Sequence, residues 1–130
     1  MERDASAQDF EGLVPAWLHL PDVAARIGVA DRQVRSMVRE GRLLAFRVGD
    51  NRALAVPADF LVPDPDRPGL DHVLPALRGS LTQLADAGYD DVETLRWLFT
   101  PEESLEQAPI EALRAGRVTT VRRAAQGLAF

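Results

Sequence analysis

Apolar positions in the first half of the chain change their period twice, and the changes mark out elements. Val23, Ala24 and Ile27 recur at helical spacing, as do Val34, Met37 and Val38 a few residues on. From Leu43 the spacing tightens into two short runs, Leu43–Val48 and Arg52–Val56, separated by Gly49-Asp50-Asn51, which reads as a β-hairpin. Pro21 fits the first turn of the first helix, which runs to about Ile27. Asp31 is the expected N-cap of the second, over 32–40, with Gly41 as its stop.

Between the two helices stands Ala24, then Gly28, then Val34. A helix-turn-helix needs a small residue where its helices touch, a glycine to reverse the chain at positive φ, and a β-branched residue to lock the second helix. These three positions meet those needs, and the hairpin that follows makes the expected module a winged helix-turn-helix. Pro57-Ala58-Asp59-Phe60-Leu61 reads as a short helical turn returning Phe60 to the module. Pro63, Pro65, Pro68 and Gly69 then read as a stiff linker.

The second half is patterned as helix. One stretch over 73–87 turns Leu74, Leu77, Leu81 and Leu84 inward, with Pro75 in its first turn and Gly88 as its stop. Another begins after Asp90, with Glu93 placed for a capping box, and ends at Thr100-Pro101. A short helix over 109–115 ends at Gly116, and a last one over 118–128 aligns Val118, Val121, Ala125 and Leu128. The expected fold is mainly α with a small β-hairpin wing. Its expected parts are a flexible acidic tail (1–15), a winged helix-turn-helix domain (16–61), a Pro-rich linker (62–69) and a helical C-terminal domain (70–130).

At 130 residues the chain can bury one core, or a small module with a helical annex. No apolar run approaches the length of a membrane span, the N-terminus lacks the pattern of a signal peptide, and a cytoplasmic location is expected. There is no cysteine, so disulfides and thiolate chemistry are excluded. All 15 basic residues are arginine, as a gene of very high G+C content would produce.

The net charge of −5 looks unsuited to nucleic acid until it is mapped. Residues 32–52 carry +4 and 112–130 another +4, while 61–111 carry −8. On the second helix Arg32, Arg35, Ser36 and Arg39 fall on one face, opposite the apolar one. The N-terminal part of such a helix lies nearest base edges in the major groove, which makes Arg32, Gln33, Arg35 and Ser36 candidates for base contact. Arg39 and Arg42 are candidate phosphate ligands, and Arg47 and Arg52 flank the wing, where they can follow the backbone or enter the minor groove. Asp50 between them would keep the extreme tip from phosphate.

Chemistry of other kinds has little support. His19 and His72 lack metal-ligand spacing, no glycine-rich phosphate loop occurs, and acids at 90–93 and 102–106 read as solvated helix ends. No catalytic residue, metal or cofactor is expected. Trp97-Leu98-Phe99, the densest apolar cluster, reads as core, with self-association or a protein partner as the alternative.

V-A-A-R-I-G-V, V-R-S-M-V-R-E-G-R-L-L-A-F-R-V-G and the closing V-P-A-D-F-L resemble the MerR-like and excisionase-like winged helix-turn-helix domains. With G-Y-D-D-V-E-T-L-R-W-L-F-T-P-E-E-S-L and V-R-R-A-A-Q-G-L-A-F, the chain over about 15–130 resembles a small actinobacterial family that joins such a domain to a helical C-terminal domain. The resemblance implies a double-stranded DNA partner and transcriptional regulation. It also implies a Ser/Thr protein kinase acting on the N-terminal region, for which Ser6 is the candidate phosphorylation site. R-W-L-F-T-P-x-x-S-L resembles the toxin-binding domain of some antitoxins, which implies a protein partner for the C-terminal helices. An excisionase-like architectural protein, which bends DNA, is the remaining alternative.

Overall fold

The computed structural model describes residues 10–128, and its chain divides into two compact units. One comprises Ala16–Gly79; the other comprises residues 80–128 together with 10–15. Each has its own core.

The first unit opens with an element that the apolar pattern did not announce. Strand β1 (Trp17–His19) runs antiparallel to β3 (Ala53–Pro57), which also pairs with β2 (Phe46–Val48), in the order β1-β3-β2. Phe46 faces Ala55 and Leu18 faces Val56, so the central strand carries fully buried Ala55 and Val56. Trp17 packs its ring edge-on against Phe46, with centroids 6.1 Å apart. Strand β2 is shorter than the sequence suggests, beginning at Phe46, and β3 is shifted by one residue, with Arg52 left in the turn and Pro57 added at its end.

Helix α1 (Leu20–Ile27) has Pro21 in its first turn and buries Leu20, Val23, Ala24 and Ile27, a single apolar stripe. It stops at Gly28, whose φ of 74° and ψ of 37° are left-handed. The amides of Gly28 and Val29 both donate to the Ala24 carbonyl, at 2.9 and 3.0 Å, satisfying one of the orphan acceptors of the helix end. Helix α2 (Asp31–Arg39) follows, with Ala30 rather than Asp31 as its N-cap; Asp31 is its first residue.

Residues 62–69 are not a linker. Strand β4 (Leu61–Pro63) pairs antiparallel with β5 (Asp71–Val73), and the prolines sit at an edge and in the connecting loop, where a missing N–H disrupts no ladder. Asp64 organises that loop. Its Oδ1 accepts from the Asp66 amide at 2.9 Å and its Oδ2 from Arg67 Nε at 2.7 Å. Arg67 also donates through Nη1 to the carbonyl of Ile27 at 3.1 Å and through Nη2 to that of Asp71 at 3.1 Å. One guanidinium therefore joins the second hairpin to the C-terminus of α1. Before β4 a 3-10 turn, Ala58–Phe60, buries Phe60 completely, as the sequence suggested.

From Leu77 onward the chain is helical, the helix there spanning the boundary of the two units. Helix α3 (Leu77–Asp86) starts after Ala76, whose positive φ of 74° ends the extended segment, so it begins later than the apolar repeat implied. Leu74, Leu77, Leu81 and Leu84 are nevertheless all buried. Helix α4 (Asp91–Phe99) has the expected capping box. Asp90 Oδ1 accepts from the Glu93 amide at 2.8 Å, and Glu93 Oε1 accepts from the Asp90 amide at 2.9 Å. Helices α5 (Pro109–Arg114) and α6 (Val118–Gln126) follow. The expected flexible tail is corrected from Phe10 onward. Residues 10–13 are helical, and Phe10 and Val14 are each 5% exposed, so their apolar side chains belong to a core. Ser6 lies outside the described residues.

The left-handed turn at Gly28 and the Arg67 brace to the Ile27 carbonyl can each be tested. A Cβ at Gly28 would lie 3.3 Å from Leu70 Cδ1 and 3.5 Å from Arg67 Nη1 at a left-handed φ. Gly28→Ala is expected to lower unfolding free energy by about 1–2 kcal/mol or more in urea titrations; an unchanged midpoint would count against it. The Arg67 hydrogen bond, then the Asp66 amide, hold the Asp64 carboxyl below its ordinary 3.8. Its folded pKa being depressed, Asp64 adds stability above pH 3.8 that is lost as the pH falls through the folded pKa. Asp64→Asn is expected to be less stable at neutral pH, with the difference from wild type shrinking in acid; parallel acid-unfolding curves would contradict this.

Candidate nucleic-acid interface

Helix α2 separates its two faces sharply. Val34 and Met37 are buried and Val38 is half-buried, while Arg32, Gln33, Arg35 and Arg39 are exposed and Ser36 is half-buried. Burial of Val34 fixes the rotation of the helix. With that residue inward, the i, i+3, i+4, i+7 geometry turns Arg32, Arg35, Ser36 and Arg39 away from the core. Arg39 Nη2 donates to Ser36 Oγ at 2.8 Å, so these two act as a unit.

Gln33 has a different local role from its neighbours. Its Oε1 accepts from the Ala30 amide at 2.9 Å, capping the helix start in place of the Asp31 cap that the sequence suggests. The alanine at the N-cap position has no side-chain acceptor of its own, so this one bond is the cap. The side-chain amide of Gln33 suits adenine, and the signal in the sequence for its capping role is its position three residues after Ala30.

The wing projects from the sheet as a tight loop. Arg52 donates its amide to the Gly49 carbonyl at 3.2 Å, and the Asn51 side chain accepts from the Ala53 amide at 3.2 Å. Gly49 and Arg52 both have positive φ, 74° and 56°. Arg47 Nη1 donates to the Arg52 carbonyl at 3.0 Å, which ties the two wing arginines across the hairpin. Along β2 only Arg47 points outward, between buried Phe46 and Val48.

Helix and wing share a surface. Leu54, the register partner of Arg47, lines a shallow hollow with Leu20, Arg35, Val38 and Arg39. Three of the predicted arginines, Arg35 and Arg39 from α2 and Arg47 from β2, are thus brought together around the half-buried Leu54. Arg42 stands apart: its Nη1 lies 3.6 Å from Glu40 Oε1, at the rim of a groove of about 530 Å³ on the opposite flank of α2. That groove is walled by Gln33, Ser36 and Met37 on one side and by Arg67, His72 and Val73 on the other.

The remaining candidates fall elsewhere. His19 Nδ1 donates to the Leu54 carbonyl at 3.3 Å, since a carbonyl can only accept. No group of three or more His, Asp or Glu among the described residues is placed to hold a metal, and none of the helices described is long and apolar enough to cross a membrane. Leu98 and Phe99 are core, whereas half-buried Trp97 borders an open apolar hollow with Tyr89, Arg96 and Thr100.

Comparison with known proteins matches both halves of the chain. A family model described as the winged helix-turn-helix domain of the DNA-binding protein Rv2175c matches residues 8–61. A second, described as the Rv2175c C-terminal domain of unknown function, matches residues 74–129. The DNA-binding protein Rv2175c of Mycobacterium tuberculosis is 37% identical over 123 residues, which cover 85% of this chain and 79% of that protein. The NMR structure of Rv2175c has a TM-score of 0.72 at 32% identity, covering 100% of this chain and 99% of that one.

The capping role of Gln33 gives a test independent of any ligand. Gln33→Ala is expected to lower stability by about 0.5–1 kcal/mol, whereas Gln33→Glu, which keeps the acceptor and favours the helix dipole, is expected to hold it. Equal unfolding midpoints for wild type and Gln33→Ala would contradict the cap.

Proposed function

Because this chain belongs to the family of the DNA-binding protein Rv2175c, we propose that its winged helix-turn-helix unit binds double-stranded DNA and serves in transcriptional regulation. Helix α2 enters the major groove with Arg32 and Arg35 at the base edges, where a guanidinium can bond the O6 and N7 of guanine together. Gln33 and Ser36 are in reach of the same groove, Gln33 while its carbonyl oxygen caps the helix, since its amide N–H groups stay available to donate. Arg39, Arg42, Arg47 and Arg52 neutralise phosphates along the flanks. A cytoplasmic location follows from the same reading.

The observation that carries this reading is the hollow around Leu54, with Arg35 and Arg39 on its helix side and Arg47 opposite Leu54 on the wing. A reading helix and its wing must touch one duplex at once, and a shared arginine-bearing surface gives them that geometry. The net acidity of the chain does not oppose it, because phosphate attraction is local at physiological salt, where charges beyond about 8 Å are screened.

Arg35→Ala is expected to cost about 1–3 kcal/mol of binding free energy and to relax preference at one base pair. Arg47→Ala is expected to weaken all duplexes alike and to reduce the slope of log affinity against log salt by about one. Fluorescence anisotropy with the protein's own upstream region and a random duplex, across a salt series, distinguishes the two. Wild-type isotherms from both variants would refute this placement of the DNA surface.

A further inference from the structure

The second unit carries a glycine turn similar to that of the first, with one residue fewer between the glycine and the following helix. Ala112, fully buried on α5, stands four residues before Gly116, as Ala24 stands before Gly28. Both glycines are left-handed, with φ of 83° and 74°. In each turn the amide five residues beyond the alanine returns to its carbonyl: Arg117 to Ala112 at 2.9 Å, and Val29 to Ala24 at 3.0 Å. A helix of nine residues then follows in both cases, α6 here and α2 there. Val121 is fully buried on α6, as Val34 is on α2.

With Val121 inward, Thr119, Arg122, Arg123 and Gln126 occupy the positions on α6 that Arg32, Arg35, Ser36 and Arg39 occupy on α2. All four are exposed. Gln83 Nε2 donates to the Arg122 carbonyl at 3.0 Å, which fixes α6 against α3 and leaves the guanidinium outside. Neither Arg122 nor Arg123 forms an ion pair among the described residues. Residues 112–130 hold four arginines and no acid, whereas Glu11 and the acids of 80–111 all precede them. The outward face of α6 offers two guanidinium groups, a hydroxyl and an amide, with no carboxylate to repel an anion.

We propose that α6 is a second duplex-contacting helix, presenting Thr119, Arg122, Arg123 and Gln126 to the phosphate backbone of double-stranded DNA. The proposal rests on the reading that the full chain binds DNA. It gives the C-terminal unit a role in affinity, while base preference stays with α2. Stripes of this composition bind phosphate irrespective of sequence.

The test uses the full chain and two fluorescein-labelled duplexes, one of random sequence and one from the protein's own upstream region, across a salt series. Arg122→Ala/Arg123→Ala is expected to weaken low-salt binding about tenfold and to lower the salt slope by about two, with base preference and the unfolding midpoint unchanged. Added to Arg32→Ala/Arg35→Ala, it is expected to remove the binding that remains. A wild-type isotherm and slope for Arg122→Ala/Arg123→Ala, while Arg32→Ala/Arg35→Ala weakens binding, would overturn the role of α6 and leave the first reading standing. The opposite pattern would uphold α6 and refute the placement on α2. Failure of the wild-type chain to bind any duplex at low salt would overturn both.

Discussion

The reversal at Gly28 is the constraint on which the first unit depends. A left-handed glycine must follow α1 directly, since the chain has only Val29 and Ala30 in which to turn before α2 begins. The turn leaves backbone carbonyls at the end of α1 without helical partners. Ala24 O is answered by two amides of the turn, and Ile27 O by the guanidinium of Arg67, forty residues on. Because Arg67 is itself held by Asp64 and by the Asp71 carbonyl, the second hairpin is fixed to the end of α1 from which the turn departs. Arg26, whose Nη1 lies 3.9 Å from Asp71 Oδ2, adds a weaker and more exposed contact of the same sense.

Helix α2, which follows that turn, has two separate tasks. Its apolar side must enter the core at Val34 and Met37, and its charged side must stay open to solvent. Rotation by one residue would bury Arg35 and expose Val34, so the stripe of arginines is a consequence of the core and not an independent feature. The wing is set by comparable means. The buried pair Phe46–Ala55 fixes the register, and the period of two then sends Arg47 outward.

Much of this was legible in the sequence. The spacing of Ala24, Gly28 and Val34, the turn after Val48 and the capping box at Asp90 are local patterns, and each forms where it was expected. What was not legible depends on partners distant in sequence. Strand β1 is three residues long, too short to show a period, and becomes a strand only through β3. The prolines of 63–68 read as a linker because Pro discourages ladders, yet a hairpin edge tolerates them. Arg67 gave no sign that it would bond Ile27, and Phe10, Leu13 and Val14, although spaced i, i+3, i+4, make a run of a single turn interrupted by Gly12 and preceded by a polar, acidic stretch, too short to announce a buried helix. The amide of Gln33 suits adenine, while its capping bond to Ala30 is hidden in the sequence because alanine is a poor N-cap.

The measurement that most directly tests the central claim is a two-dimensional amide NMR titration of the full chain with a duplex from its own upstream region. The account predicts that shifts concentrate in residues 31–39, at the start and along the length of α2, and in the wing over 47–53. Shifts that leave both segments unmoved while others respond would contradict it.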